Sequence, residues 1–553
     1  EGFGVGRLAE VHDGSGSTFF CHDHRGNVVR KRVDHPAGSP LETRFTYTLG
    51  DRLSALTYPS GTTVHFTYDS AGRVQAMTYS EEQSPVEGTL LEAVTHYPFG
   101  PLASVRFGNG RLLEKAYDAN YAIGGLSSSA PDGLNLQFEV DVLGNIVAIT
   151  PEPGQTQEAA RHYGYDALSR LTEVRDANQA LIEAFGYDPT GNRTTKTWQG
   201  AQQSYVYAPG SHWLLDTGTD QRTYDAAGNM VQRTQGRTEF GYEHGAHNRY
   251  QRHLVNGAEI ARYAYNGHGE RTCAWVGETL TRFVYDTGGR LLGEYQASGK
   301  PIIEYVYLGD LPVAAFAAHG LVYIETDHLG TPRVVVDPAT NATLWQWPLT
   351  GRAFGEHDPV TPSQEGTAPF VFGLRYPGQR ADGESGLNYN YFRDYEPGTG
   401  RYTQSDPIGL TGGISSYGYA NFSPMHYIDH LGLFPGYSWE LDPTSPRPGM
   451  ACREDLCNPL PVCQWTYSKF SECLDFCTSR TNLPEFAMAA LALSAPDVFE
   501  LPNGPNAPPK PYADCGPLRK AARWAKWGSG AYAVASGFSC SAACLHFPCL
   551  VDY

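Results

Sequence analysis

Two near-copies of one pentamer place acidic side chains at matching positions, close to a change in the composition of the chain. Asp-Pro-Ile-Gly-Leu occupies residues 406–410 and Asp-His-Leu-Gly-Leu occupies residues 429–433, with eighteen residues between them. Asp and Gly at this spacing are typical of a turn in which the carboxylate accepts a backbone N–H. If the two turns lie side by side, the carboxyl groups share a proton, because like charges at short range do not both ionise. The ionised member could then activate water while the protonated member polarises a peptide carbonyl.

The first four residues of the second pentamer, Asp-His-Leu-Gly, also occur at residues 327–330 in TDHLGTP, where the composition of the chain does not change. One copy alone therefore predicts only a turn. Two side chains could assist the acidic pair. Arg401 lies five residues before Asp406 and could orient or charge-balance a carboxylate, although a surface arginine at a strand end needs no such role. His430 replaces the proline of the first copy and could titrate near neutral pH, although it could equally be a simple turn residue.

A short motif that recurs before the pentamers predicts the elements that must position them. Its copies are TYDSAGRV (67–74), GYDALSRL (164–171), GYDPTGNR (186–193), TYDAAGNM (223–230), AYNGHGER (264–271) and VYDTGGRL (284–291). Each copy predicts a strand, a turn made by Asp or Asn with Gly, and a return strand. The copies lie about 20 residues apart or near multiples of that spacing. Because a lone hairpin is only marginally stable, the units must stack edge to edge.

The composition agrees with a protein of strands and turns. The 553 residues include 61 Gly and 35 Tyr, and only 18% of them are charged. The net charge of −18 argues against nucleic-acid binding by the repeat region. The chain begins inside strand-and-turn sequence without Met, so we expect its true N-terminus to lie elsewhere. Cys21 and Cys273 are the only cysteines before residue 434, whereas nine follow it, which indicates two regions of different character.

Residues 1–433 resemble the Rhs/YD-repeat family, and the stretch 376–433 (YPGQRADGESGL through HYIDHLGL) is similar to its Rhs-associated core. The resemblance implies a mainly β fold. Residues 1–375, N-terminally truncated, would form a strip of YD repeats coiled into a hollow β cocoon that the core segment plugs. Residues 434–553 would be a small, variable, helical toxin domain. Families of this kind occur among bacterial polymorphic toxins, type VI secretion effectors and the C component of insecticidal toxin complexes.

The same resemblance implies self-cleavage of the aspartyl-protease type. Asp406 and Asp429 would be the catalytic pair, and the scissile bond would join Leu433 to Phe434. No metal and no cofactor are expected. The implied partners are an immunity protein, a VgrG/PAAR-like secretion spike, and a chaperone acting through the missing N-terminal region. The protein would be made in the bacterial cytoplasm and delivered into a target cell by a contact-dependent system.

The C-terminal segment has features that favour a membrane-active toxin. Its candidate interface residues are Arg519, Arg523, Trp524, Lys526 and Trp527. The following residues up to 551 contain no Asp, Glu, Lys or Arg, and as a helix they could cross a hydrocarbon layer of about 30 Å. This pattern favours a pore-forming or depolarising toxin that acts at the inner membrane from the periplasm. The alternative is a buried helix of a soluble enzyme, because the stretch is weakly hydrophobic and contains Pro548.

The cysteines of this segment admit further interpretations. Cys473 and Cys477 would share one face of a helix, and Cys540 and Cys544 one face of another, each pair at i,i+4 spacing. Two such helices packed together could form two disulfide bridges. Their connectivity does not follow from the sequence, and nine is an odd number. A zinc site has weak support because the segment has no Cys-x-x-Cys pair and a single histidine, His546. A thiol nucleophile at Cys515 lacks an evident base.

Two other classes of function stay open. An enzymatic C-terminal domain, such as a nuclease, deaminase or ADP-ribosyltransferase, would need a His/Glu, Cys/His or Arg/Glu constellation, and no such constellation is legible in the segment. A structural or adhesive surface protein built from the same repeats would require no cleavage.

Overall fold

The computed structural model describes residues 6–81, 84–98, 100–154, 158–245, 247–362 and 369–436, without the side chains of residues 84–86. Within this part of the chain, 37 strands form three antiparallel sheets, and two short 3-10 helices follow at Gly409–Gly412 and Ala420–Phe422. The mainly β fold class expected from the sequence is therefore confirmed. The predicted cysteine pairs and membrane-interface residues lie outside the described residues.

The first sheet contains 18 of the described strands. They are β1 (Glu10–Asp13), β2 (Gly16–His22), β3 (Val28–Asp34), β4 (Leu41–Tyr47), β5 (Leu53–Thr57), β6 (Thr63–Tyr68), β7 (Val74–Glu81), β8 (Ser84–His96), β9 (Leu102–Phe107), β10 (Leu112–Tyr117), β11 (Ile123–Ser128), β12 (Leu136–Val140), β13 (Ile146–Pro151), β14 (Arg161–Tyr165), β15 (Leu171–Asp176), β16 (Leu181–Tyr187), β17 (Arg193–Trp198) and β18 (Ala201–Ser204).

The second sheet contains 15 of the described strands and the third contains four. The second comprises β19 (Val206–Tyr207), β20 (Leu214–Asp216), β21 (Gln221–Tyr224), β22 (Met230–Gln235), β23 (Thr238–His244), β24 (Tyr250–Val255), β25 (Ala258–Tyr265), β26 (Arg271–Val276), β27 (Thr279–Tyr285), β28 (Leu291–Gln296), β29 (Pro301–Leu308), β30 (Leu311–Ala317), β31 (Gly320–Thr326), β32 (Pro332–Val336) and β33 (Thr343–Gln346). The third comprises β34 (Arg380–Asp382), β35 (Leu387–Asn390), β36 (Arg393–Glu396) and β37 (Arg401–Tyr402).

The recurring motif forms the strand, turn and strand that its sequence predicts. All six of its aromatic positions end a strand, and the return strand begins after the turn. Within each sheet, successive strands of the chain pair antiparallel, as β6 does with β7 and β16 with β17. The ladder shifts register at the motif tyrosine, for example between Thr67 and Tyr68. The repeats therefore build long sheets from contacts between sequence neighbours.

Tyrosine hydroxyls link one repeat to the repeat before it. Tyr165, the last residue of β14, donates its hydroxyl to the carbonyl of Ile146, the first residue of β13, at 2.8 Å. The same bond across adjacent strands is made by Tyr47, Tyr68, Tyr187, Tyr265 and Tyr307. A hydrogen bond of this kind contributes about 0.5–1.5 kcal/mol to stability. The motif tyrosine therefore stabilises the stacking of repeats.

The aspartate of the motif organises the turn itself. Asp166 accepts the backbone N–H groups of Leu168 at 2.9 Å and Arg170 at 3.1 Å through Oδ1. Its Oδ2 accepts from the Arg170 guanidinium at 2.7 Å, and the same guanidinium donates to the carbonyl of Asp188 in the next turn at 2.9 Å. The motif therefore combines a turn with a side-chain link to the neighbouring turn.

Buried ion pairs join the third sheet to the second. Arg271 pairs with Asp382 and lies 3.2 Å from Asp394, while Tyr263 and Tyr389 cover its guanidinium at 4.2 Å and 4.0 Å. Replacing one partner of such a pair leaves a buried charge and costs about 3–5 kcal/mol. The segment that carries both pentamers is thus fixed against the repeat strands. Among the described residues, no helix is long and apolar enough to span a bilayer.

Candidate active site

Both pentamer aspartates begin turns and are buried. Asp406 follows β37 and accepts the Ile408 N–H at 2.9 Å through Oδ1, and Asp429 accepts the Leu433 N–H at 2.9 Å through its own Oδ1. Their exposed fractions are only 7% and 2%. Each turn therefore leaves Oδ2 to face other groups of the interior.

A single arginine joins the two carboxyl groups. Nη2 of Arg393, in β36, lies 2.9 Å from Oδ2 of Asp406 and 3.2 Å from Oδ2 of Asp429. The guanidinium also donates to the carbonyls of Gly432 and, at 3.2 Å, Ser416. One nitrogen between two carboxyl groups keeps them close together and offsets part of their mutual repulsion.

The carbonyl of Leu433 lies beside the Asp406 carboxyl group. A Cβ placed on Gly412 would lie 2.3 Å from Oδ2 of Asp406 and 2.4 Å from the Leu433 carbonyl oxygen. The two oxygens are therefore no further apart than the sum of these distances. The N–H of the same Leu433 is held by Asp429, so the two carboxyl groups lie near opposite polar groups of one residue.

The backbone around Leu433 depends on a glycine. Gly432 has φ of +67°, a conformation that side chains disfavour, and a Cβ there would lie 2.5 Å from the Asn390 carbonyl oxygen. The Gly of the second pentamer thus allows close contact between this turn and the hairpin of β35 and β36.

The chain beyond Leu433 is also held. Ile428 and Gly436 form an isolated antiparallel bridge, with N–H to carbonyl distances of 3.0 Å and 2.8 Å in the two directions. The Leu433–Phe434 bond therefore lies between two fixed points, the Asp429 turn and this bridge.

Burial changes the acidity of both carboxyl groups. It raises the pKa of Asp406 to about 6, although the Arg393 guanidinium opposes the shift. Burial also raises the pKa of Asp429, and Arg393, the Leu433 N–H and the Tyr402 hydroxyl oppose that shift. A pair of this kind retains a proton at a pH where an exposed aspartate is fully ionised.

Of the two predicted assisting residues, Arg401 contacts groups other than the two aspartates. Arg401 donates to the carbonyl of His212 at 2.6 Å and lies over the rings of Tyr207 and Tyr417. Arg393 holds the place between the carboxyl groups that the sequence suggested for Arg401. The backbone carbonyl of His430 lies against Gly378, where a Cβ would approach it to 2.0 Å.

Sequence reasoning missed three further residues of the site. Arg393 bridges the aspartates, Tyr402 donates to Asp429, and Gly412 leaves space between Asp406 and Leu433. The sequence offers only one signal for Arg393, its place on a strand. By that signal, Arg380 and Arg401 are equally plausible partners for the two aspartates. For Tyr402 and Gly412 the sequence contains many residues of the same type and offers no comparable signal.

No group of three or more His, Cys, Asp or Glu side chains suited to a metal ion occurs in the part of the chain that the structure describes.

Long antiparallel sheets of motif hairpins, together with a buried segment that packs against them, define a YD-repeat shell protein. The Teneurin YD-shell family model matches residues 127–411, about half of the chain, and the RHS Repeat model matches residues 47–83. The chain belongs to the Rhs/YD-repeat family of shell proteins.

Individual relatives agree with this assignment. The chain is 28% identical to double-stranded DNA deaminase toxin A of Burkholderia cenocepacia, over 76% of this chain and 33% of the relative. It is 29% identical to the probable deoxyribonuclease RhsB of Dickeya dadantii, over 72% of this chain and 30% of the relative. The chain thus spans about a third of the length of these curated relatives.

Solved structures show the same fold. The crystal structure of TcdB2-TccC3-TEV aligns with 77% of this chain and 24% of its own, with a TM-score of 0.60 and 17% identity. At this identity the likeness concerns the fold alone.

Proposed function

We propose that this chain is the shell and self-cleaving core of an Rhs-type toxin, and that Asp406 and Asp429 cut the bond between Leu433 and Phe434. The observation that carries the proposal is the single Arg393 nitrogen, 2.9 Å and 3.2 Å from the two carboxyl groups, next to the backbone of Leu433. A turn aspartate with a purely structural role needs no second carboxyl group beside it.

The reaction follows from the placement of the groups. Asp429, ionised, takes a proton from a water molecule that attacks the carbonyl carbon of Leu433. Asp406, protonated, gives its proton to the carbonyl oxygen. When the tetrahedral intermediate collapses, the C–N bond breaks and Phe434 nitrogen takes the proton held by Asp429. A hydroxyl group on the former carbonyl carbon returns its proton to Asp406. The products are the Leu433 carboxyl group and the Phe434 amine.

Asn substitutions test the pair with little effect on the turns, because an amide oxygen still accepts the Asx-turn N–H bonds. Full chains carrying Asp406→Asn or Asp429→Asn should run as one uncut band on a denaturing gel. The unsubstituted chain should give two bands, and the smaller should begin at Phe434 by N-terminal sequencing. Asp188→Asn, in a repeat turn with the same Oδ1 bonds, is the matched control and should cut normally. If the chain with Asp406→Asn or the chain with Asp429→Asn is still cut between Leu433 and Phe434, this mechanism is excluded.

For residues 434–553 we propose a membrane-inserting, pore-forming or depolarising toxin, delivered by a secretion spike with the help of a chaperone and neutralised by an immunity protein in the producing cell. The basic, tryptophan-bearing stretch at 519–527 and the uncharged stretch after it support this proposal. The target membrane would be reached from the periplasm.

A second candidate is an enzymatic toxin that acts on DNA. It is favoured by the names of two relatives, a double-stranded DNA deaminase toxin and a probable deoxyribonuclease. Expression of residues 434–553 in the periplasm and then in the cytoplasm of a test bacterium separates the two candidates. Loss of membrane potential with intact DNA supports the membrane-active toxin. Mutated or broken DNA with an intact potential supports the enzyme.

A further inference from the structure

Tyr402 has a hydroxyl group that is fixed in one orientation against the acidic pair. It lies 2.8 Å from Oδ2 of Asp429 and 2.8 Å from the amide nitrogen of Asn390. The same amide nitrogen lies 2.9 Å from the backbone carbonyl of Asp429. Because that carbonyl only accepts, the nitrogen of the amide must face it, and the tyrosine oxygen then accepts the second amide hydrogen. The hydroxyl proton of Tyr402 is therefore directed at the Asp429 carboxylate.

The ring of the same tyrosine holds the cation of the site. The guanidinium of Arg393 lies over the Tyr402 ring at 3.7 Å, and both side chains are buried. The charged and titratable groups around the tyrosine are Arg393 and Asp429, with the rings of Tyr395 and Tyr419 each 6.0 Å from its own. Tyr402 is thus in contact with Asp429 through its hydroxyl group and with Arg393 through its ring.

The two carboxyl groups differ in the donors that they receive. Asp429 accepts from the Leu433 N–H, the Tyr402 hydroxyl and Arg393, whereas Asp406 accepts from the Ile408 N–H and Arg393. Donors to a carboxylate stabilise its charged form. Asp406 instead lies beside the Leu433 carbonyl oxygen, an acceptor toward which a protonated carboxyl group can donate.

We propose that Tyr402, oriented by Asn390, is a positioning residue that keeps the negative charge on Asp429 and so leaves the shared proton on Asp406. The inference rests on the proposed self-cleavage and assigns the base and the acid within it. In this arrangement the proton is already next to the carbonyl that must be polarised, before water attacks.

The test is the pH dependence of cleavage in Tyr402→Phe. The full chain is made by cell-free translation at a series of pH values, and release of the 434–553 fragment is followed over time. Phe keeps the ring under Arg393 but removes one donor from Asp429, so Asp429 should hold a proton more strongly. We expect about a tenfold slower cleavage on the acidic side of the pH–rate profile, where Asp429 competes for the proton. We also expect the acidic limb of the pH–rate profile to move to higher pH.

Tyr395→Phe is the matched control, since that hydroxyl donates to the Phe354 carbonyl at 2.8 Å and lies in the same sheet. It should leave the profile unchanged. A Tyr402→Phe profile that coincides with that of the unsubstituted chain overturns the inference. If Tyr402→Phe is uncut at every pH, Asn390→Ser decides, because it leaves the hydroxyl in place but frees its orientation. A shifted acidic limb in that variant supports the inference, and an unshifted limb overturns it.

The outcome is distinguishable from failure of the proposed function. If Asp406→Asn or Asp429→Asn still cuts, self-cleavage by the dyad is wrong and the role of Tyr402 falls with it. If both dyad variants are uncut while Tyr402→Phe keeps the normal profile, only the assignment of Tyr402 is wrong.

Discussion

Leu433 donates its backbone N–H to Oδ1 of Asp429 at 2.9 Å, four residues ahead of it in the chain. Thr331 makes the same bond to Asp327 at 3.0 Å in the other Asp-His-Leu-Gly turn. The candidate cleavage site is thus a repeat-type turn in which the i+4 residue is also the residue to be cut. The two turns differ in the partner of the second carboxyl oxygen of the aspartate. Oδ2 of Asp327 pairs with Arg333, whereas Oδ2 of Asp429 shares Arg393 with another carboxyl group.

Arg393→Gln should slow self-cleavage by at least about 100-fold. Without the cation, two buried carboxyl groups hold their protons more strongly, so the pair lacks a base near neutral pH. Pulse-labelled cell-free translation, with the 434–553 fragment resolved on a denaturing gel, gives the rate directly.

Arg401→Gln is the matched control for that variant, because Arg401 lies on the next strand and is also buried but contacts His212, Tyr207 and Tyr417. It should cut at the normal rate. Limited proteolysis of both variants shows whether the sheets have formed. Normal cleavage in a folded Arg393→Gln chain would show that the bridge between the aspartates is not needed.

Gly412→Ala should block cleavage because of where its methyl group would lie. The new Cβ would be 2.3 Å from Oδ2 of Asp406 and 2.4 Å from the Leu433 carbonyl oxygen, so it would force the acid and the carbonyl apart. A displacement of about 1 Å at a reacting centre is enough to cost about 100-fold in rate. The measurement is the same fragment-release assay at one pH.

The control for that substitution is Gly383→Ala, in the same segment, where an added Cβ meets no atom within 4 Å. It should cut as fast as the unsubstituted chain. If Gly412→Ala also cuts at that rate, Asp406 does not act directly on the Leu433 carbonyl.

The fold could be predicted from the sequence to a large extent because its information is local. Tyr68, Tyr165 and Tyr187 end strands as expected, since the turn that follows each one is encoded within a few residues. Pairing between sequence neighbours then leaves few alternatives for the sheets. The hydroxyl bonds between repeats were not foreseen, because they join residues 15–19 positions apart through a backbone carbonyl.

The site was predictable only in part. The sequence drew attention to Asp406 and Asp429 by their repeated pentamers, but it placed Arg401 next to them on the basis of nearness in the chain. Arg393 lies thirteen residues before Asp406, and the folding of β36 and β37 into a hairpin brings it closer. Such a contact depends on tertiary packing, and no local pattern encodes it.

Gly436→Pro should slow cleavage and make its position less uniform. Proline removes the N–H that Gly436 donates to the Ile428 carbonyl at 2.8 Å, and this bridge fixes the chain just beyond the Leu433–Phe434 bond. We expect about a tenfold lower rate, since one fixed point of the substrate segment is weakened. Mass spectrometry of the smaller fragment reports both the rate and the exact terminus.

Gly436→Ala keeps the N–H and is the control. Equal rates and one common terminus for the alanine and proline variants would show that the bridge does not position the bond.

Self-cleavage should be fastest in mildly acidic solution and should decline as the pH rises. The pKa of Asp406 is raised from its ordinary value to about 6, because burial disfavours the charged form more than Arg393 favours it. Below that value Asp406 carries the proton needed to polarise the Leu433 carbonyl, and above it the proton is lost. The rate should therefore fall by about tenfold per pH unit on the alkaline side. Cell-free translation between pH 5.5 and about 8.5, with fragment release as the readout, measures this limb. Asp188→Asn, outside the site, should show the same profile as the unsubstituted chain. A rate that is constant across the range, or that rises with pH, would contradict a protonated Asp406 as the acid.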